Sequence, residues 1–245
     1  MHPPALRREG LRLGRIGLPP GKIAQQLGVP DATVRYWLRT AASTSSGCWR
    51  CEDSQLPESL SETYGYLLGL YLGDGCISRG PHGQAVLRIA CANAWPGLLD
   101  AASAAMASLS PNRVFRIAKD GCTSVEGYWK HWLCVIPQHA PGKKHERSIV
   151  LADWQREMIE VNPRPLLRGL FHSDGCRCVN RVKAAGKTYE YPRYFFSNVS
   201  ADIMAICQWA LDLQGVAWRM NNGHSLSVAK APNVATLDSF IGPKS

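Results

Sequence analysis

No stretch of the chain approaches the roughly 20 consecutive apolar residues that a membrane-spanning helix needs. Nor does the opening Met1-His2-Pro3-Pro4-Ala5 lead into an apolar run of signal-peptide length. The two absences predict a soluble, cytoplasmic protein, nucleoid-associated if nucleic acid is its partner. Cysteine supplies no framework: nine residues, an odd number, are scattered along the chain, which predicts reduced thiols rather than disulfides. A single Cys-x-x-Cys occurs, at Cys48 and Cys51, and a structural zinc site needs four ligands. The pair is therefore read either as half of a Zn²⁺ site, with Cys76 and His82 as conceivable remote ligands, or as two free thiols in a loop. The ending Gly242-Pro243-Lys244-Ser245 has no His-Asn, which argues against intein chemistry. Acid is also scarce, with 19 Asp and Glu against 28 Lys and Arg and a net charge of +9, a balance that attracts a polyanion.

What is present suffices for a folded protein. With 245 residues, 45% of them hydrophobic, the chain can bury one large core or two modest ones. Residues 20 to 38, Pro-Gly-Lys-Ile-Ala-Gln-Gln-Leu-Gly-Val-Pro-Asp-Ala-Thr-Val-Arg-Tyr-Trp-Leu, predict a short helix, a tight turn and a second helix. Ala24 is small where the helices cross, Gly28 permits a left-handed turn, and Ile23, Leu27, Val29, Val34 and Trp37 form a shared apolar face. Asp31 is expected to cap the second helix. A serine-rich, polar linker follows over residues 42–57.

An internal repeat dominates the remainder. Tyr66-Leu-Leu-Gly-Leu-Tyr-Leu-Gly-Asp-Gly-Cys76 recurs 100 residues later as Leu166-Leu-Arg-Gly-Leu-Phe-His-Ser-Asp-Gly-Cys176. On a helix, residues four apart share a face. Gly65, Gly69 and Gly73 therefore form a stripe almost free of side chains, matched by Pro165, Gly169 and Ser173. Each glycine weakens an isolated helix by about 1 kcal/mol relative to Ala, so close packing of the two stripes is the expected compensation. Gly75 and Gly175 are expected to end the helices as left-handed caps. Asp74 and Asp174 then meet at two negative helix ends, where a divalent cation with hard oxygen ligands relieves their repulsion.

Residues 19–40 resemble the helix-turn-helix of bacterial DNA-binding proteins. The resemblance implies that the second helix enters the major groove, with Asp31, Ala32, Thr33, Arg35, Tyr36 and Arg39 as contacts to bases and phosphates. The paired motifs resemble those of the LAGLIDADG homing endonucleases in the single-chain, two-motif form. That resemblance implies an α/β (α+β) core of two αββαββα halves, 58–160 and 161–245, preceded by an all-α domain at 1–41. It implies a monomer with a pseudo-two-fold axis, a saddle of paired sheets over double-stranded DNA, and a Mg²⁺ ion held by Asp74, Asp174 and the backbone at Gly73 and Ser173. The sequence departs from the family name's first Asp, having Leu72 and His172 there.

Between the motifs lie basic hairpins. The second carries Arg177, Arg181, Lys183, Lys187 and Arg193 interleaved with Tyr189, Tyr191 and Tyr194, around a turn at Ala184-Ala185-Gly186. The first is milder, with Arg79, His82, Gln84 and Arg88. All are expected on a groove-facing surface or as solvated charge. Asn93 and Asn198 each close a strand before a helix and are read as helix caps, or, by the family resemblance, as residues that order a hydrolytic water. The same resemblance implies a transition-state lysine in each half, with Lys230 best placed and Lys143 or Lys144 in the first. The functions weighed are Mg²⁺-dependent site-specific cleavage of double-stranded DNA, non-cleaving transcriptional regulation, and, least supported, RNA maturation.

Overall fold

The computed structural model describes residues 3–43, 48–51, 56–81, 83–184 and 186–244, so His82 and Ala185 fall outside the described residues. The chain forms two compact units, Met1–Glu52 and Asp53–Ser245.

The first unit contains α1 (Pro4–Arg15), α2 (Pro20–Leu27) and α3 (Asp31–Ser43). Proline, having no N–H to leave unsatisfied, opens α2 at its first position. Gly28 ends it with φ of 64°, and Val29 N–H returns to Ala24 O at 3.1 Å. Leu13, Ile23, Ala24, Val29, Val34 and Trp37 form one core, flanked by Leu6, Leu11, Leu18, Leu27 and Leu38. The contribution of α1 to this core was not anticipated from the pattern of residues 20–38. Asp31 does not cap α3. It lies inside the first turn, with Thr33 and Val34 N–H bonded to Pro30 O, and its carboxylate instead binds Arg35 one turn on at 2.5 Å.

The second unit is a mixed α/β structure that repeats one pattern. Its first half runs α4 (Glu58–Leu72), β1 (Gly75–Arg79), β2 (Ala85–Ala92), α5 (Pro96–Leu109), β3 (Val114–Lys119), β4 (Cys122–Tyr128), α6 (Trp132–Val135), a 3₁₀ turn at Lys144–Glu146, and α7 (Asp153–Val161). The second runs α8 (Arg164–Asp174), β5 (Gly175–Ala184), β6 (Lys187–Ser197), α9 (Ala201–Leu213), β7 (Arg219–Asn222), β8 (Ser225–Val228) and α10 (Ala231–Asp238). Each half holds a four-stranded antiparallel sheet, in the orders β1-β2-β4-β3 and β5-β6-β8-β7.

Helices α4 and α8 pack against each other through the glycine stripe. A side chain on Gly69 would lie 2.5 Å from Leu166 O and 2.8 Å from the Cα of Gly169, and one on Gly169 would lie 2.9 Å from the Cα of Gly69. Backbone meets backbone there, which requires glycine on both sides. The aliphatic faces around this crossing, including Leu67, Leu68, Leu70, Leu166, Leu167 and Leu170, are buried, so apolar burial offsets the poor helix propensity of the glycines. The buried Tyr64 hydroxyl and Gln155 amide are paired. Tyr64 Oη donates to Val135 O at 2.5 Å and accepts from Gln155 Nε2 at 2.6 Å.

Gly75 and Gly175 are not left-handed caps. Gly175 is extended, with φ of −101° and ψ of 164°, and both residues begin strands. The requirement is spatial: a side chain at Gly75 would sit 2.9 Å from Tyr71 O, and one at Gly175 would sit 2.8 Å from Phe171 O. The chain doubles back so tightly from helix to strand that only glycine fits.

Candidate metal centre and nucleic-acid interface

These reversals hold Asp74 and Asp174 just beyond the shared helix crossing. A side chain on Gly73 would lie 3.0 Å from Asp174 Oδ2, so the first motif runs directly past the second carboxylate. Burial pushes the Asp74 carboxyl above its ordinary range; the Asp174 charge adds to this, and Lys144 and Lys244 oppose it. Asp174 is raised by burial too, while the Asn198 amide and both lysines pull it back.

Of the lysines expected at this centre, only Lys144 is found there, joined by Lys244, which the sequence did not suggest. Lys230 occupies the position before α10 and lines a different cleft, and Lys143 pairs with Glu146 at 3.2 Å. Lys144 is the one that enters, its ammonium donating to the carbonyls of Tyr71 and Leu72 at 2.8 Å each and to that of Gly73. Lys244, in the irregular segment after α10, donates to Ser173 O at 3.0 Å and Gly175 O at 2.6 Å. Each helix thus ends with a cation on its orphan carbonyls, the arrangement that the helix dipole favours. Burial drives Lys144 down to about 8 despite the pull of both aspartates.

Two carboxylates and the carbonyls of Gly73 and Ser173 form a hard-oxygen donor set. Those carbonyls already accept positively charged ammonium groups, so their orientation suits a cation. A divalent metal fits the residues present. A cleft of about 600 Å³ opens beside them, lined by Tyr71, Lys144, Asp174, Asn198 and His224 among others.

The two asparagines differ. Asn198 donates to Asp174 Oδ2 at 2.6 Å and accepts from Ser200 N–H at 2.8 Å; Ser200, not Asn198, caps α9. Asn93 accepts from Thr123 Oγ1 at 2.8 Å, and the cap position of α5 is Trp95. Neither asparagine is a helix cap. His172, at the departure from the family name, is buried. Its Nδ1 accepts from Tyr66 Oη at 3.0 Å, and its Nε2 donates to Ile241 O at 2.8 Å, because a carbonyl can only accept.

Strand alternation sorts the hairpin cations. In the second sheet Tyr194 and Phe196 are buried against the helices. Arg177, opposite Tyr194 in register, shares that face and is tied to Asp238 of α10 at 2.7 Å. Arg181 and Lys183 follow on the same side, Arg181 paired with Glu190 at 2.8 Å. The opposite, outer face carries Lys187, Tyr189, Tyr191, Arg193 and Phe195, with Tyr189 and Tyr191 stacked at 6.3 Å. In the first sheet Arg88 lies on the outer face, bound to Glu126 at 3.0 Å, and Arg79 lies on the helix side. The interleaved basic run is therefore divided between two faces.

In the first unit, Val34 and Trp37 face the core, while Ala32, Arg35, Tyr36 and Arg39 are exposed and Thr33 is half-buried. Cys48 and Cys51 share one turn, Cys51 N–H bonding Cys48 O at 3.0 Å, with Cys48 buried and Cys51 exposed. In the second unit, Cys76 is exposed on β1, and His131 Nδ1 lies 3.6 Å from Cys134 Sγ.

No family model matches the chain, and no curated protein matches it in sequence. Among solved structures, it is similar to mesophilic variants of the homing endonuclease I-DmoI, at 14% identity over 76% of this chain and 98% of that one, with a TM-score of 0.49. It is also similar to the LAGLIDADG meganuclease I-AabMI bound to uncleaved DNA, at 14% identity over 72% and 82% of the two chains and a TM-score of 0.47. The meganuclease I-SmaMI bound to uncleavable DNA matches at 9% identity over 73% and 84%, with a TM-score of 0.46.

Proposed function

We propose that this protein binds double-stranded DNA site-specifically and hydrolyses its phosphodiester bonds with a divalent metal, Mg²⁺ being the expected ion. The observation that carries the reading is the convergence of Asp74 and Asp174 at the ends of two helices joined backbone to backbone. Two carboxylates raised by burial and set beside one cleft are costly unless they serve a cation. Asp74, Asp174 and the carbonyls of Gly73 and Ser173 would hold the metal. Bound there, a divalent ion lowers the pKa of a water and screens charge on phosphate oxygens.

The chain's own groups account for the remaining requirements. Asn198 fixes the orientation of Asp174 through its amide. Lys144 and Lys244 supply positive charge beside the carboxylates, placed to stabilise charge developing on a phosphodiester. The outer faces of the sheets, with Arg88, Lys187 and Arg193, contact the duplex, and the exposed side of α3, through Thr33, Arg35, Tyr36 and Arg39, reads a major groove. Because the internal repeat provides both aspartates, one chain completes the centre and a monomer suffices.

A second reading has an observation in its favour. Lys144 and Lys244 balance the two aspartates and satisfy the helix-end carbonyls, so the centre is neutral without a metal, as a DNA-binding regulator that never cleaves would require. Selection from a randomised duplex library with and without Mg²⁺ separates the two. Cleavage by the wild type, lost in Asp74→Asn and Asp174→Asn with binding retained, supports the nuclease. Metal-independent specific binding with no cleavage under any divalent ion supports the regulator.

A further inference from the structure

A second cleft, of about 480 Å³, lies apart from the aspartates. Arg193 of β6, Arg219 of β7 and Lys230 before α10 line it together with Trp218, Asn221 and Ser227, and no carboxylate does. Register explains the grouping: Phe195 pairs with Ser227, and Ser227 pairs with Arg219, so Arg219 shares the outer face with Phe195 and Arg193. Elsewhere in the unit the hairpin arginines Arg88, Arg177 and Arg181 have carboxylate partners. Among the described residues no carboxylate lines the cleft of Arg193, Arg219 and Lys230. The Nε of Arg193 is buried and has no hydrogen-bond partner among the described residues, and its guanidinium lies over the Phe195 ring at 5.6 Å. Helix α10 also starts at this cleft without a side-chain cap, although Pro232 in its first turn has no N–H to offer an anion.

Three cations gathered without an acid repel one another, and an anion relieves that repulsion. Guanidinium forks match phosphate oxygens in geometry. Resting on the DNA-binding reading above, we infer that this cleft grips a backbone phosphate of the duplex, flanking the surface formed by Lys187, Tyr189, Tyr191 and Arg193. The first half differs at the matching edge strand. Its edge strand β3 presents Phe115 and Ile117 outward, both exposed, while Arg116 turns inward to Asp100 at 2.8 Å. The grip is therefore one-sided: it anchors only the half of the DNA site beneath the second sheet.

The test is the salt dependence of duplex affinity for the full chain in EDTA, so that no cleavage intervenes. Each phosphate contact contributes about 0.9 to the slope of log affinity against log salt. Arg219→Ala and Lys230→Ala should each reduce the slope by about one, uniformly across DNA sequences, and Arg219→Lys should retain it. Ethylation interference should map the lost contact to one flank only. Duplex binding with unchanged slopes and unchanged interference overturns the cleft while leaving the DNA reading intact. Failure of the wild type to bind any duplex overturns that reading and the cleft with it. Inorganic phosphate provides a separate arm: if it protects the wild type but not Arg219→Ala against thermal unfolding, and the slopes do not move, the ligand is free phosphate and the DNA assignment is wrong.

Discussion

Asn198 donates its side-chain amide to Asp174 at 2.6 Å, whereas Asn93, at the matching point of the first half, turns to Thr123. The two aspartates thus share a centre but not an environment. Hydrogen bonding to a carboxylate favours its charged form. Asn198→Ala should raise the proton affinity of Asp174 and shift the acid limb of DNA cleavage to higher pH. Asn93→Ala should leave that limb in place. A pH profile of cleavage for both variants checks this, and equal shifts would contradict the asymmetry.

The contrast also shows which features local pattern can carry. The 100-residue repeat made the α4–α8 crossing and the meeting of Asp74 with Asp174 legible, because helical spacing alone brings Gly65, Gly69 and Gly73 to one face. Gly28 was equally legible as a left-handed turn. The lysines were not: whether Lys143 or Lys144 faces the centre depends on one residue's rotation in a loop, and Lys244 arrives through the tail beyond α10. Strand register likewise decided that Arg177 belongs to Asp238 and Arg193 to the outer face, information held in long-range pairing. The close approach of Gly75 to Tyr71 gave the same residue type that a left-handed cap would, so composition could not separate the two causes.

Gly69 tests the helix crossing. Alanine has the better helix propensity by about 1 kcal/mol, yet at this position its methyl would meet Leu166 O and the Cα of Gly169 at under 3 Å. Overpacking against backbone costs about 1–3 kcal/mol or more. Gly69→Ala and Gly169→Ala should therefore each destabilise the protein in urea unfolding, against the sign that propensity predicts. A stabilising result for either would show that the helices can separate without loss.

On the nuclease reading, Lys144 should separate metal binding from catalysis. Its ammonium rests on the carbonyls of Tyr71, Leu72 and Gly73, where it opposes a second cation by charge and by occupancy. Removing it with Lys144→Met should tighten Mn²⁺ or Ca²⁺ binding to DNA-free protein, measured by calorimetry, by about tenfold, which corresponds to about 1.4 kcal/mol. The same change removes a charge-stabilising group and should slow cleavage by roughly 100-fold. Weaker metal binding in the variant would mean that the lysine orders the carbonyls rather than competing for them.

His172 couples the tail to acid stability. Burial, helped by the Arg168 charge, drives it from 6.5 to about 4, against the opposing bond to Ile241. The folded protein therefore keeps the ring neutral where the unfolded chain protonates it. The contribution is complete above pH 6.5 and is lost as pH falls toward 4, amounting to about 3 kcal/mol at the lower end. Asp74 and Asp174, raised in the folded state, act in the opposite sense at acid pH, so the comparison must be made against a variant that leaves them intact. The stability advantage of the wild type over His172→Gln should narrow on going from pH 7 to pH 4 in urea unfolding; a constant gap would contradict the assignment. Ile241 is held by this ring and Lys244 lies three residues beyond it, so protonation should also loosen the ammonium from Ser173 and Gly175. Acid should then enhance hydrogen exchange in the chain's last residues before the sheets open, and exchange that begins in the sheets would show that His172 does not anchor the tail.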